Sequence, residues 1–160
     1  MSTRPTILPA AIRMGEMAVA QSGGVLRTLL GSCVGIALYD RRRRVGGLAH
    51  VVLPESRGKT ETPAKFVDTA IPALVEAMQA LSEEPLRLSA RIAGGAQMFK
   101  TSVARRIGDQ NVDASEALLR TMRIPIVGRH CGGSKGRRMT LDLATGVVRV
   151  EIVGCEGVEI

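Results

Sequence analysis

The segment CVGIALYDRRRRVGGLAHVVLP, residues 33–54, decides how this chain folds. Its first half alternates with the two-residue period of a β-strand, and its second half is another apolar run that Pro54 ends. The residues expected on one face of the first strand are Val34, Ile36 and Leu38, and those on the other are Cys33, Gly35, Ala37 and Tyr39. Four consecutive arginines separate the two runs, so the segment predicts a β-hairpin with a basic tip.

The hairpin brings a thiol and an imidazole onto one face for either even-length loop. If residues 40–43 form the loop, Cys33 lies directly opposite His50. If residues 41–44 form it, His50 faces Gly35 and Cys33 lies one step away on the diagonal. Both registers place the two Cβ atoms roughly 5 to 8 Å apart. A loop of odd length, or a bulge, would put the two side chains on opposite faces.

The rest of the chain predicts an α/β fold. Further strands are expected at 16–21, at 25–33, after residue 86 and three times within 124–153. Helical spacing of apolar residues predicts one helix over 65–84 and a second over 113–124, with Asp113 or Ser115 as its N-cap. We expect a single domain, 1–160, built as a layered sandwich with a mixed, mainly antiparallel sheet and two principal helices.

Composition narrows the classes of function. The formal net charge is +7, but aromatic residues are 2% of the chain, so the stacking side chains of single-strand and RNA binders are scarce and we do not predict nucleic-acid binding. A basic protein also suits an acidic protein partner. No apolar run is long enough for a membrane span or a secretory signal, so we expect a cytoplasmic location without membrane insertion.

The three cysteines are an odd number without a CxxC pair, which predicts free thiols and no metal site. A thiol beside an imidazole is the pairing of cysteine-dependent hydrolases, in which the imidazole takes the thiol proton. Gly31 and Ser32 break the strand before Cys33, and backbone N–H groups at such a bend can stabilise an oxyanion. The small residues Gly35 and Ala37 on the same face are expected to leave room for a substrate or a helix. The alternative is a buried apolar cysteine and a structural histidine.

The motifs LGSCVGIALYD (30–40) and GGLAHVVLPES (46–56) resemble the signature of the CheD chemoreceptor glutamine deamidases. The resemblance continues through KFVDTAIPAL, RIAGGAQMF and IPIVGRHCGGSKGRRMTLDLATGVVRV in the same order. One departure is the pair His130 and Cys131 before the double glycine, where family members often carry an aspartate.

This resemblance implies hydrolysis of glutamine side chains on methyl-accepting chemotaxis receptors to glutamate and ammonia, without metal or cofactor. It also implies a sandwich similar to toxin-type deamidases. Cys33 would be the nucleophile and His50 the general base, and Ser32 and Gly31 are candidates for the oxyanion and substrate pocket. A threonine completes the family's triad six residues before the cysteine; that position is Arg27 here, and Thr28 is the nearest candidate.

A CheC-type phosphatase is a second candidate partner besides the receptors. A non-catalytic chemotaxis module that binds receptors or such a phosphatase is the alternative to an enzyme. Conversion of receptor glutamines distinguishes the two functions, because a binding module would leave the receptor's mass unchanged.

Overall fold

The computed structural model describes residues 11–98, 102–152 and 154–160, and only the main chain of 102–106. Within these ranges it contains β-strands and two α-helices. The strands are β1 Met17–Gln21, β2 Val25–Leu30, β3 Val34–Asp40, β4 Val45–Val51, β5 Ser89–Gly94, β6 Ile126–Cys131, β7 Arg137–Asp142, β8 Val148–Ile152 and β9 Val158–Glu159. The helices are α1 Val67–Gln79 and α2 Ser102–Thr121, and a short 3-10 helix, Pro63–Lys65, precedes α1.

The elements form three layers, which confirms the predicted layered α/β class. A five-stranded mixed sheet, in the order β1-β4-β3-β5-β6, is antiparallel except for the β5–β6 pair. A four-stranded antiparallel sheet, β2-β7-β8-β9, covers one face of it, and α1 and α2 pack on the other. One apolar core therefore lies between helices and sheet, and a second lies between the two sheets.

The hairpin of β3 and β4 has the second of the two predicted registers. Asp40 pairs with Val45 across a loop of residues 41–44, and Gly35 pairs with His50. Val34, Ile36 and Leu38 pack in the helix-side core, whereas Cys33, Ala37 and Tyr39 pack in the core between the sheets. The alternation read from the sequence is confirmed because the side-chain period of a strand is a local property.

Two helix predictions need correction. The first helix is shorter than predicted, and Pro72 lies inside it. The second begins at Ser102, so Asp113 and Ser115 lie within it rather than at an N-cap; Ser115 Oγ donates to the carbonyl of Asn111. Gly108 weakens the helical pattern of the sequence, but a Cβ there would lie 2.7 Å from the Gly95 carbonyl oxygen. The glycine thus permits close packing, and tertiary contact overrides propensity.

The space above Gly35 is not open, contrary to the expectation of room for a substrate or a helix. A Cβ at Gly35 would lie 2.6 Å from Met139 Sδ and 3.0 Å from Leu30 Cδ1. Both side chains come from the four-stranded sheet. The small residue therefore lets the two sheets pack closely, and any substrate must reach Cys33 from the ends of the strands.

Gly94 at the end of β5 is the tightest of these close approaches to the Cys33 segment. Its φ is +108°, and a Cβ there would lie 2.2 Å from the Cys33 carbonyl oxygen. The atom in the way is backbone, so it cannot move aside as a side chain does. Gly94 therefore fixes how closely β5 approaches the residue before β3.

We expect Gly94→Ala to lower the free energy of unfolding by about 3 kcal/mol or more, since it adds a backbone clash to an unfavourable φ. Gly58→Ala is the matched control, because Gly58 also has a positive φ of +133° but nothing within 4 Å of its Cβ position. That control should lose only about 1 kcal/mol. Urea unfolding measures both, and equal losses would contradict the role given to the close approach.

Candidate active site

Cys33 lies between the two sheets, immediately after the bend that ends β2. The structure places the bend at residues 31–33, as the sequence predicted, and β3 begins at Val34. The segment is held by two backbone hydrogen bonds: Gly95 N–H donates to the Cys33 carbonyl and Ala96 N–H to the Gly31 carbonyl, each at 2.9 Å. The Cys33 residue is 7% exposed. The thiol is thus fixed on a rigid main chain at the edge of the core.

His50 lies on β4, and its ring faces the four-stranded sheet. It is paired with Gly35, so Cys33 is on the diagonal from it, and it is 3% exposed. The ring meets Thr28 of β2, with 2.6 Å between Thr28 Oγ1 and His50 Nδ1. The structure therefore brings Thr28 and His50 into direct contact, although they belong to different sheets.

The hydrogen-bond partners of Thr28 determine the tautomer of His50. Thr28 Oγ1 also lies 2.6 Å from the carbonyl oxygen of Ile12. A carbonyl only accepts, so the single hydroxyl hydrogen of Thr28 goes to Ile12, and the hydroxyl must accept from His50 Nδ1–H. His50 Nε2 then carries the free lone pair, and this buried atom has no hydrogen-bond partner among the described residues. This nitrogen is therefore able to accept a proton.

Thr28, not Arg27, is the β2 residue that contacts His50. Arg27 is exposed on β2, whereas Thr28 is 1% exposed and points toward the five-stranded sheet. Between Thr28 and Cys33 the chain leaves one sheet and enters the other at the bend of residues 31–33. The rule that a shift of one residue reverses a side chain applies within one strand, not across such a bend.

Burial keeps both reactive groups neutral. It raises the pKa of the Cys33 thiol, although the Cys33 N–H acts in the opposite direction. Burial also lowers the pKa of His50, from 6.5 to about 4. The resting site therefore holds a thiol and a neutral imidazole rather than a thiolate–imidazolium pair.

Ser32 and Gly31 contribute main chain rather than side chains. The carbonyls of both accept hydrogen bonds, from Asn111 Nδ2 and Ala96 N–H. In the described part of the chain, the N–H groups of Ser32 and Cys33 donate to no backbone carbonyl outside the strands. The Cys33 N–H also favours the thiolate, as its effect on the thiol pKa indicates. These two donors are the groups available at the bend for a developing oxyanion.

Asn111 on α2 is a site residue that the sequence analysis missed. Its buried Nδ2 donates to the Val52 carbonyl at 2.9 Å and to the Ser32 carbonyl at 3.4 Å. It therefore links the segment before Cys33 to the end of the strand that carries His50. No sequence signal identified it, because the helix was predicted to begin two residues after this position.

His130 and Cys131 point to opposite sides of β6. Cys131 packs against the helix-side core, and burial raises its pKa. His130 Nδ1 lies 2.8 Å from Nη1 of the buried Arg137, which can only donate, so His130 Nδ1 is an acceptor. The hydrogen bonds of their side chains go to Arg137 and to the Ile92 carbonyl. Among the described residues, no three His, Cys, Asp or Glu side chains converge as metal ligands, and no helix is long and apolar enough to span a membrane.

The two histidines of the chain should therefore show opposite tautomers at neutral pH, with the proton on Nδ1 in His50 and on Nε2 in His130. Long-range ¹H–¹⁵N NMR correlations of the rings measure both in one spectrum. Thr28→Val should change the His50 pattern and leave His130 as its internal control. A wild-type His50 protonated on Nε2 would contradict the hydrogen-bond assignment.

Comparison with known proteins agrees with the motifs. The family model described as CheD chemotactic sensory transduction matches residues 52–152. The chain is 45% identical over 141 residues to a protein of Methanococcus maripaludis, covering 87% of this chain and 92% of that one. It is 49% identical over 129 residues to one of Archaeoglobus fulgidus (79% and 82%), and 44% identical over 148 residues to one of Thermococcus kodakarensis (89% and 91%). All three are named probable chemoreceptor glutamine deamidase CheD. The chain belongs to the CheD family.

Proposed function

We propose that this protein hydrolyses the side-chain carboxamide of glutamine residues in chemoreceptors, with Cys33 as nucleophile and His50 as general base. The observation that carries the proposal is the Thr28–His50 hydrogen bond, which leaves the Nε2 lone pair free on the face that Cys33 shares. The names of the relatives supply the substrate class, since they are called probable chemoreceptor glutamine deamidases.

The first half-reaction forms a thioester. Cys33 Sγ attacks the carboxamide carbon while its proton passes to His50 Nε2, and the carbonyl oxygen becomes an oxyanion near the N–H groups of Ser32 and Cys33. The C–N bond then breaks. His50 returns the proton to the leaving nitrogen, which departs as ammonia.

The second half-reaction returns the enzyme to its resting state. A water gives a proton to His50 Nε2 and attacks the thioester carbon. The C–S bond breaks, the proton passes from His50 to the Cys33 sulfur, and a glutamic acid side chain remains on the receptor. It then releases its proton to solvent and becomes glutamate. Atoms balance with one water consumed and one ammonia released. Thr28 keeps Nδ1 protonated throughout, so the same nitrogen serves in both halves.

We expect Cys33→Ala to abolish conversion of a chemoreceptor cytoplasmic fragment, measured as released ammonia and as the mass change when NH₂ becomes OH. Unchanged conversion by Cys33→Ala would overturn the proposed nucleophile. Binding of the fragment by both proteins, without conversion by either, would instead indicate the non-catalytic chemotaxis module.

Thr28 is a positioning residue, and its effect should fall on kcat rather than KM. Thr28→Val should lower kcat by about 100-fold, because the imidazole loses the partner that fixes its tautomer. Thr28→Ser keeps the hydroxyl and should retain most of the activity. Equal losses in the two variants would indicate that the methyl group, and thus packing, is what matters.

The pH profile tests the lowered pKa of His50. Because its pKa is about 4, the imidazole is already unprotonated at pH 6, and kcat/KM should be nearly constant between about pH 6 and 8. An unperturbed histidine would instead reduce kcat/KM about fourfold at the lower end of that range. A limb with a midpoint near 6.5 would contradict the neutral buried base.

A further inference from the structure

A groove of about 640 Å³ begins at Gly31, two residues before Cys33. Its lining comes from the end of β2, the start of β7, the end of β8 and the segment that joins β6 to β7, together with Met98. The lining residues that matter here are Leu29, Gly31, Met98, Lys135, Arg138 and Ile152. The groove and the candidate nucleophile therefore share one stretch of main chain.

Two exposed apolar side chains make part of the groove surface hydrophobic. Leu29 on β2 is 67% exposed, and Met98 is 44% exposed. Met98 lies across the floor, since a Cβ at Gly31 would be 3.3 Å from Met98 Cγ. Exposed apolar residues are ordinary when scattered, but here they line one concavity that includes Gly31, two residues before Cys33.

The groove is also basic. Its lining includes the cations Lys135, Arg137 and Arg138 and one carboxylate, Glu151. That carboxylate is shared, because it lies 3.2 Å from Arg149 and 3.9 Å from Arg138. A positive charge therefore remains on the wall, and it favours an acidic ligand.

Hydrogen bonds join the groove wall to the nucleophile segment. The buried Arg137 donates to the carbonyls of His130 and Lys135, which shapes the β6–β7 connection from within. Gly132 N–H donates to the Gly94 carbonyl, and Gln97 N–H donates to the Gly133 carbonyl. Since residues 95 and 96 hold the Cys33 segment, the wall and the thiol are parts of one preorganised frame.

We infer that this groove holds the receptor segment that flanks the target glutamine, and that it selects a segment carrying an apolar and an acidic side chain. The inference rests on the proposed function. Cys33 is 7% exposed, so a glutamine side chain can reach Sγ only while its own main chain stays at the surface. The groove that opens at Gly31 is the adjacent surface with matching apolar and cationic groups.

Leu29→Asp and Arg138→Glu test the inference with a chemoreceptor cytoplasmic fragment as substrate. Each should raise KM about tenfold and change kcat little, because the groove binds residues that do not react. Val127→Asp on β6 and Arg41→Glu at the hairpin tip are matched controls at exposed positions outside the groove, and both should keep the wild-type KM. Alkylation of Cys33 by iodoacetamide, followed by peptide mass, should proceed at the wild-type rate in all four variants.

Charge reversal sharpens the test. A fragment in which an acidic residue near the target glutamine is replaced by lysine should be a better substrate for Arg138→Glu than for the wild type. A KM within twofold of wild type in both groove variants would overturn the inference, as would a wild-type dimer that Leu29→Asp dissociates. The latter would assign the groove to a second copy of the chain.

Direct binding separates this inference from the proposed function. If the wild type binds the fragment without converting it, and Leu29→Asp weakens that binding, the groove assignment stands and the proposed hydrolysis fails. If the wild type converts the fragment and the groove variants bind it equally well, the hydrolysis stands and the groove assignment fails. If the wild type neither binds nor converts it, both fail.

Discussion

The hydrogen bond between Thr28 and His50 joins the two sheets at the point where the candidate site is built. Thr28 belongs to the four-stranded sheet and His50 to the five-stranded one, and the hydroxyl also bonds the carbonyl of Ile12. A buried hydroxyl or imidazole without a partner is destabilising, so this pair constrains how the sheets sit on each other. Leu30 and Met139 of the four-stranded sheet also pack closely against Gly35 of the five-stranded sheet, and this apolar contact likewise fixes the relative position of the two sheets. The sheet interface and the site therefore cannot vary independently.

What the sequence could predict was local. Alternation along a strand placed Cys33 with Ala37 and Tyr39, and the arginine run identified the hairpin tip, because both depend on neighbouring residues only. The side of the strand on which the Thr28 side chain lies, relative to Cys33, could not be predicted in that way. It depends on a chain that changes sheets at residues 31–33, and a strand-counting rule assumes one continuous strand.

The contribution of Asn111 was out of reach for a related reason. Its side chain donates to the carbonyls of Ser32 and Val52, which are far from it in sequence and meet it because α2 packs against β3 and β5. Gly108, a residue of low helix propensity inside α2, is what allows α2 to approach Gly95 so closely. A residue that weakens the local pattern thus serves tertiary packing, and propensity alone gives the wrong helix start.

The neutral resting pair places a limit on how the proposed reaction proceeds. The thiol pKa is raised from 9.0 and the pKa of His50 is lowered to about 4, so proton transfer from Cys33 to His50 is unfavourable in the resting site. Thr28 is neutral and orients the ring without offsetting its charge, unlike the aspartate of a serine protease triad. Proton transfer is therefore best coupled to formation of the C–S bond, when the oxyanion supplies the opposite charge beside His50.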